Sequence, residues 1–178
     1  TFLRPVRAKI LDTRLVALGA VVRLKEPHGH RILLDVAVDE GKIQDLLKLA
    51  VRTNPPLMSG AVQLKTTFDL LPGASTICDR LQLAGTFHIS QAHFANEKIQ
   101  QKIDFVSMRT RGRTALLHKN IIDDVDSDLS GVFDLESGVL HFSELHFDIP
   151  GTRVDLIGQY SLDGKLFDFH GKARLDAR

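Results

Sequence analysis

The chain has 178 residues, of which 43% are hydrophobic and 25% are charged, and its formal net charge is +1. This length and composition are typical of one globular domain with its own core and argue against intrinsic disorder. The near-neutral charge gives no bulk attraction to nucleic acid or to an anionic membrane. The single cysteine, Cys78, excludes a disulfide within the chain, and no apolar run approaches the ~18–20 residues of a membrane-spanning helix.

The first half of the chain predicts strands around one short helix. Alternating apolar and polar residues predict strands at 6–12, 15–24 and 31–38, and a later one passes through Leu64 and Phe68. Between them, the segment KIQDLLKLAVR changes to a helical period, and TNPP ends it because proline cannot continue a helix. The apolar stripe of this predicted helix consists of Ile43, Leu46, Leu47, Ala50 and Val51.

One pattern, apolar-x-Gly-x-apolar-x-apolar, recurs along the chain. The residues between its members are mostly polar, so each strand has one apolar and one wetted face, as in an antiparallel sheet. Glycine removes side-chain bulk where a sheet coils, so we expect these glycines to bend the sheet into a concave apolar face; close packing beneath a helix would explain them equally well. The pattern occurs at Met58-Gly60-Val62-Leu64, Leu83-Gly85-Phe87-Ile89, Leu129-Gly131-Phe133-Leu135, Leu156-Gly158-Tyr160-Leu162 and Phe169-Gly171-Ala173-Leu175.

The last third of the chain predicts a four-strand antiparallel meander. Gly158 and Gly171 are spaced as neighbouring strands of one hairpin, which turns at LDGK. The interval between Gly131 and Gly158 leaves room for one further strand, VLHFSELHFDI, which is reached through the turn LESG.

The segment NEKIQQKIDFVSM predicts a second amphipathic helix, with Asn96 as its N-cap and Ile99, Ile103 and Val106 on its inward stripe. The predicted fold is mainly β (α+β): an antiparallel, strongly curved sheet or β-groove of about nine strands with two short amphipathic helices. Two such helices cannot cover a wide sheet. Either the sheet folds over itself as a sandwich or barrel, or part of its concave face stays open.

No catalytic or metal-binding pattern stands out. The sequence contains no GxSxG, HExxH, phosphate loop, dinucleotide fingerprint or paired CxxC. Four histidines occupy polar positions in the alternation of their strands, which favours solvent-facing side chains over a zinc site. The acidic run IIDDVDSD lacks the central glycine and terminal glutamate of a calcium loop, and Cys78 has no evident activating partner. We therefore expect no enzyme activity, metal or cofactor. The four histidines are His88, His141, His146 and His170.

One local cluster of basic residues follows the second predicted helix. A lipid headgroup or another anionic surface could use it, although a solvated loop would explain it more simply. No aromatic stacking platform accompanies these side chains, which argues against nucleic acid as a partner. The cluster consists of Arg109, Arg111, Arg113 and Lys119.

Several segments together resemble the C-terminal region of the AsmA-like bacterial envelope proteins. They are GHRILLDVAV, DLLKLAV, NPPLMSGAVQLKTTFDLLPG, DRLQLAGTFHISQAHFANEKIQQKIDFVS and DLESGVLHFSELHFDIPGTRVDLIGQYSLDGKLFDFHGKARL. The likeness spans nearly the whole chain and is strongest in the last segment. It implies a single β-rich domain, residues 1–178, that is a fragment of a larger periplasmic protein anchored in the inner membrane, with the anchor outside this sequence.

The resemblance also implies a role without catalysis. AsmA-like proteins are similar to bridge-like lipid carriers, whose β-units form a long groove lined with hydrophobic residues, and they are associated with outer-membrane assembly and phospholipid movement between membranes. The implied partners are phospholipid or another acyl-chain lipid, and envelope proteins or neighbouring segments of the same chain. We predict that the lipid-lining residues are Leu83, Phe87, Ile89, Phe133, Leu135, Leu156, Tyr160, Leu162 and Phe169.

Two other functions remain open from the sequence. One is a structural or protein-interaction module in envelope assembly, with a closed core, no lipid site and exposed edge strands that self-associate. The other is a hydrolase, which the absence of a nucleophile and base at usable spacing disfavours.

Overall fold

The chain forms one antiparallel sheet of nine strands that follow each other in sequence order. The computed structural model describes residues 1–26, 28–50, 56, 58–95, 101 and 127–175, with the backbone alone at 49 and 50. The predicted mainly β class and strand number are therefore confirmed. The strands are β1 (Phe2–Ile10), β2 (Thr13–Leu24), β3 (Gly29–Lys42), β4 (Met58–Leu70), β5 (Leu81–Phe94), β6 (Asp128–Glu136), β7 (Val139–Ile149), β8 (Thr152–Ser161) and β9 (Phe167–Leu175).

Two short helices accompany the sheet. Helix α1 (Ile43–Ala50) lies where the apolar stripe predicts a helix, and it packs against β3 and β4. Helix α2 (Ile77–Arg80) is a single turn that the sequence analysis missed; it is held by a capping box between Thr76 and Asp79. The predicted second helix, which begins at Asn96, lies outside the described residues.

Strands β6 to β9 form the predicted C-terminal meander. Ser137 and Gly138 connect β6 to β7 with φ angles of 51° and 76°, as the LESG turn requires. The LDGK segment connects β8 to β9, and there the Ser161 hydroxyl donates to Asp163 Oδ1 (2.6 Å). Local turn chemistry therefore specifies the order of these strands.

The strand registers place most large apolar side chains of the sheet on one surface, which we call the apolar face. Its two central rows cross all nine strands, and the opposite surface of the sheet, here the polar face, carries most of the charged residues. The rows are Val6, Ala17, Val36, Thr66, Gly85, Phe133, Phe142, Gly158 and Phe169; and Leu3, Gly19, Leu34, Phe68, Leu83, Leu135, Leu140, Tyr160 and Phe167.

The best-buried part of the apolar face lies beneath α1. Val38, Val62, Ile89 and Ala92 form a cluster there, and Ile43 and Leu46 of α1 pack against it together with apolar side chains of β2, β4, β5 and β6. A smaller cluster surrounds Ile149, with Phe94 and Phe147 packed against it. The core of the described residues is therefore concentrated at one end of the strands.

The sheet is open rather than closed into a barrel, and β1 and β9 are its edges. Among the described residues, α1 packs on the apolar face against β3 and β4. Of the two arrangements that the sequence leaves possible, the described part of the chain adopts the one in which a large part of this face is not covered.

The glycines of the recurring pattern lie where a neighbouring backbone comes very close. A Cβ atom added at Gly85 would overlap the carbonyl oxygen of Lys65 on β4, and one at Gly131 would lie 2.5 Å from that of Glu144 on β7. Gly158 and Gly171 meet carbonyl oxygens of the adjacent strands in the same way. Close backbone approach thus requires glycine at these four sites. The first glycine of the pattern, Gly60, instead lies beside α1, where its N–H donates to Gln44.

Gly85→Ala should lower the free energy of unfolding by about 1–3 kcal/mol, because β4 and β5 must separate to accommodate the new methyl group. Urea unfolding followed by circular dichroism measures this. Thr86→Ala, at the next position on the polar face of the same strand, is the control and should change stability by less than about 0.5 kcal/mol. Equal stability of the two variants would contradict the steric argument.

Candidate functional site

Five phenylalanines form a continuous aromatic cluster on the apolar face. The ring of Phe87 on β5 lies 6.1 Å from that of Phe133 on β6 and 6.2 Å from that of Phe142 on β7, between centroids. Phe142 then contacts Phe169 on β9 at 5.8 Å, and Phe169 contacts Phe167 at 4.9 Å. These tilted and edge-on contacts are favourable aromatic geometries. We call this set the phenylalanine cluster.

Glycines make the cluster possible because they let rings lie against neighbouring backbone. A Cβ at Gly131 would lie 3.1 Å from Cε1 of Phe87, so this ring occupies the space above the glycine. At Gly158 a Cβ would lie 2.7 Å from Cδ1 of Phe169. Aromatic rings that cover a glycine on the next strand are a known device of β-sheets. The large residues beside these glycines therefore form a continuous aromatic surface that lies close to the backbone of the sheet.

Exposure of the apolar face increases from the middle of the sheet towards β9. Ile89 and Leu135 are only 2% and 4% exposed, whereas four members of the phenylalanine cluster are half-buried. On the edge strand, Phe167 is 76% and Leu175 is 65% exposed. The apolar face is thus buried in the middle of the sheet and accessible at the β9 edge.

The predicted lipid-lining residues divide into three groups in the structure. Six of them lie on the apolar face and are half-buried: Leu83, Phe87, Phe133, Leu156, Tyr160 and Phe169. Ile89 and Leu135 also face this side but are buried, so they belong to the core. Leu162 follows β8 in the turn, where its N–H donates to the Gly138 carbonyl (2.9 Å). The alternation of β8 ends before it reaches this residue.

The sequence analysis missed Phe142 and Phe167, both members of the phenylalanine cluster. Phe142 lies on β7, which carries no glycine pattern, and a register shift between Phe142 and Leu145 changes which residues face the core. Phe167 lies two residues before Phe169, where the last copy of the glycine pattern begins. The aromatic content of the C-terminal strands, rather than the glycine pattern, would have found both.

The predicted anionic-surface residues cannot be placed relative to this surface. Arg109, Arg111, Arg113 and Lys119 all lie outside the described residues. They remain a prediction from the sequence.

Cross-strand ion pairs organise the polar face near the C-terminal edge. Nδ1 of His146 lies 2.8 Å from Oδ1 of Asp155, and Arg174 lies 3.5 Å from the same carboxylate. The hydrogen bond with His146 holds the pKa of the Asp155 carboxyl below its ordinary value, and the nearby arginines act in the same direction.

The four histidines predicted to face solvent all lie on the polar face. His88 and His170 are exposed, and His141 and His146 are partly exposed. In the part of the chain that the structure describes, no group of three His, Cys, Asp or Glu side chains is arranged to hold a metal ion.

A polar cleft of about 610 Å³ lies at the end of the strands near α1. Lys42 Nζ is 2.7 Å from Asp12 Oδ2 there, and this hydrogen bond lowers the pKa of Asp12 and raises that of Lys42. Gly60 N–H donates to Gln44 at 3.4 Å. Two of the charged residues that line this cleft, Asp12 and Lys42, are thus paired with each other.

None of the helices in the described ranges is long and apolar enough to cross a membrane. Comparison of the chain with family models, with curated proteins and with solved structures finds no match.

Proposed function

We propose that this chain binds the acyl chains of phospholipids, or of similar lipids, along its apolar face, without catalysis. One observation carries the proposal: the apolar face runs across all nine strands, and within the described residues α1 packs on the part of it around Val38, Val62 and Ile89. An acyl chain is the simplest ligand for such a surface, since it offers apolar area and requires no polar partner.

Burial of an acyl chain supplies the driving force for this binding. Each buried methylene contributes about 0.8 kcal/mol, so roughly ten of them give ~8 kcal/mol before the cost of association is subtracted. The chain would lie across the strands, along Phe133, Phe142 and Phe169, where adjacent strands bring the rings together. Their half-burial supports this, because these side chains still have apolar area to bury.

The finer picture is a curved groove in an envelope protein. In this picture the glycines allow the sheet to coil around the lipid, and the polar face meets the aqueous periplasm. The charge distribution supports it, since the ion pairs around Asp155 and between Arg153 and Asp148 lie on the polar face. The resemblance to AsmA-like proteins supports a parent protein that is anchored in the inner membrane and guides lipids in outer-membrane assembly or transport between membranes.

Phe133→Asp tests the proposal, with Val132→Asp as its matched control. The two residues are adjacent on β6 and both half-buried, but Phe133 lies on the apolar face and Val132 on the polar face. We expect Phe133→Asp to weaken binding of a fluorescent palmitate analogue about tenfold or more, because a carboxylate would be placed against the acyl chain. Val132→Asp should keep the affinity of the unchanged chain.

Solvent extraction and mass spectrometry of the purified chain provide an independent measurement of bound phospholipid. Circular dichroism melting must show a cooperative transition in each variant; if Phe133→Asp does not fold, Phe133→Ala replaces it. A folded chain that binds neither the analogue nor phospholipid would disprove the proposal, as would equal losses in the two aspartate variants.

A protein-interaction module is the second candidate. Val16, Leu18 and Val22 of β2 are 37%, 47% and 39% exposed on the polar face, beside a shallow apolar pocket of about 350 Å³. Such a patch on the otherwise charged surface favours a protein partner. The closed core of this alternative is absent from the described residues, where the sheet is open. Protein binding that survives Phe133→Asp but not Leu18→Asp would favour this candidate.

A further inference from the structure

The C-terminal edge strand, β9, presents a surface suited to pairing with another strand. No strand lies on its outer side within the described residues. It contains no proline, and both of its ends carry strongly exposed apolar residues, Phe167 and Leu175. Natural edge strands usually avoid this combination, because free N–H and C=O groups beside apolar side chains invite another chain to pair.

The other edge of the sheet is protected from such pairing. Strand β1 contains Pro5, which lacks an N–H donor, and its register with β2 shifts between Leu3 and Val6 around this proline. Arg4, Arg7 and Lys9 give the strand positive charge without a compensating acidic residue. Two β1 strands would therefore repel each other, and the difference between the edges singles out β9.

The sequence of β9 is complementary to itself when two copies run antiparallel. With Gly171 opposite Gly171, Asp168 of each copy faces Arg174 of the other, so two opposite-charge pairs form on the polar face, and His170 faces Lys172 between them. On the apolar face the same register sets Phe167 opposite Leu175 and Phe169 opposite Ala173. All nine residues of the strand are then paired.

We propose that two copies of this chain associate through β9 in this register, which joins their sheets into one. A two-fold axis perpendicular to the sheet relates the copies, so both apolar faces lie on the same side. The proposal concerns an edge, not the apolar face, and it stands whether or not the chain binds lipid.

Other registers match less well. A shift by one residue puts apolar side chains opposite charged ones, because alternate residues point to opposite faces. Centring the pair on Lys172 places His170 opposite Arg174 and one Lys172 opposite the other. Centring it on His170 leaves Arg174 opposite Leu166, which lies outside the strand. That register does pair Asp168 with Lys172, but only the register about Gly171 gives both Asp168 and Arg174 a partner within the strand.

A charge exchange tests this register. Sedimentation equilibrium is measured in a Cys78→Ser background, which removes disulfide-linked dimers through the exposed cysteine. Asp168→Arg and Arg174→Asp should each raise the dimer dissociation constant about tenfold or more, because like charges then face each other twice. The double variant Asp168→Arg with Arg174→Asp should bind at least about threefold more tightly than either single variant, since the pairs across the interface are restored with reversed sign. A full return is not expected, because Arg174→Asp also removes the ion pair of Arg174 with Asp155 of its own copy.

Arg7→Asp on β1 is the control and should leave the dissociation constant unchanged. Melting curves for every variant verify that the sheet is intact. A monomer at all concentrations up to ~100 µM would overturn the proposal. So would a dimer that resists both single substitutions, or one in which the double variant binds no more tightly than the single variants.

Discussion

Ile89→Asp should unfold the protein or reduce its free energy of unfolding by about 4–5 kcal/mol. Ile89 is 2% exposed and packs with Val38, Val62 and Ala92 in the cluster beneath α1. A carboxylate there would lose its hydration without gaining a partner, and burial of an unpaired charge is among the most destabilising single changes. Urea unfolding is best followed by circular dichroism, because the chain has no tryptophan.

Ile157→Asp is the control, since it introduces the same side chain in place of the same residue. Ile157 is 54% exposed on the polar face of β8, so we expect a change of less than about 0.5 kcal/mol. Ile89→Val should remain folded, with a loss of about 0.5–1.5 kcal/mol. A fully stable Ile89→Asp variant would mean that the cluster beneath α1 contributes little to the stability of the sheet.

Asp45→Ala should lower the free energy of unfolding by about 2–4 kcal/mol. Asp45 lies in the first turn of α1 and is 4% exposed. Its Oδ2 atom accepts hydrogen bonds from Asp12 N–H and from the Thr13 hydroxyl, both at 3.0 Å. Lys42 N–H in turn donates to Thr13 Oγ1 at 2.8 Å. Removal of the carboxylate leaves the Asp12 N–H and the Thr13 hydroxyl without this acceptor and detaches α1 from the β1–β2 turn.

Asp45→Asn separates the loss of charge from the loss of an acceptor. Asparagine keeps one acceptor oxygen in the same place, so we expect a smaller loss than with alanine. Asp39→Ala, at an exposed position near the end of β3, should change stability by less than about 0.5 kcal/mol. If all three variants unfold at the same urea concentration, the buried network does not hold the helix in place.

These two predictions concern stability, while Phe133→Asp concerns binding, and the difference follows from where the core lies. The cluster beneath α1 and the Asp45 network are both at the α1 end of the sheet. The phenylalanine cluster extends from there towards β9 and is only half-buried. A sheet whose core is concentrated at one end can tolerate substitutions on the remaining apolar face, and this property is what a binding surface requires.

Much of the fold could be predicted from local patterns in the sequence. Residues that alternate with period two become strands, and LESG and LDGK become hairpin turns, because both features depend only on neighbours along the chain. The stripe Ile43, Leu46 and Leu47 likewise places α1 correctly. The single turn at Ile77–Arg80 was missed because it has no apolar stripe; its capping box between Thr76 and Asp79 was its one local signal.

The site was less predictable, because burial is decided by residues that are distant in sequence. Ile89 and Phe133 occupy the same kind of pattern, yet one lies beneath α1 and is core while the other is half-buried. Nothing in the alternation of β8 shows that the strand ends before Leu162, and nothing in that of β7 reveals the register shift that follows Phe142.

The sequence by itself therefore determined the strands, the order of the C-terminal four and the identity of the apolar face, since these follow from periodicity and turn residues. Only the tertiary structure decided which part of that face is core and which stays accessible. It also decided that carbonyl oxygens of adjacent strands take the space above the glycines, as at Gly85 and Gly131. The physical reason is that packing and backbone approach are pairwise properties of strands, and a single strand's sequence specifies only one of the two partners.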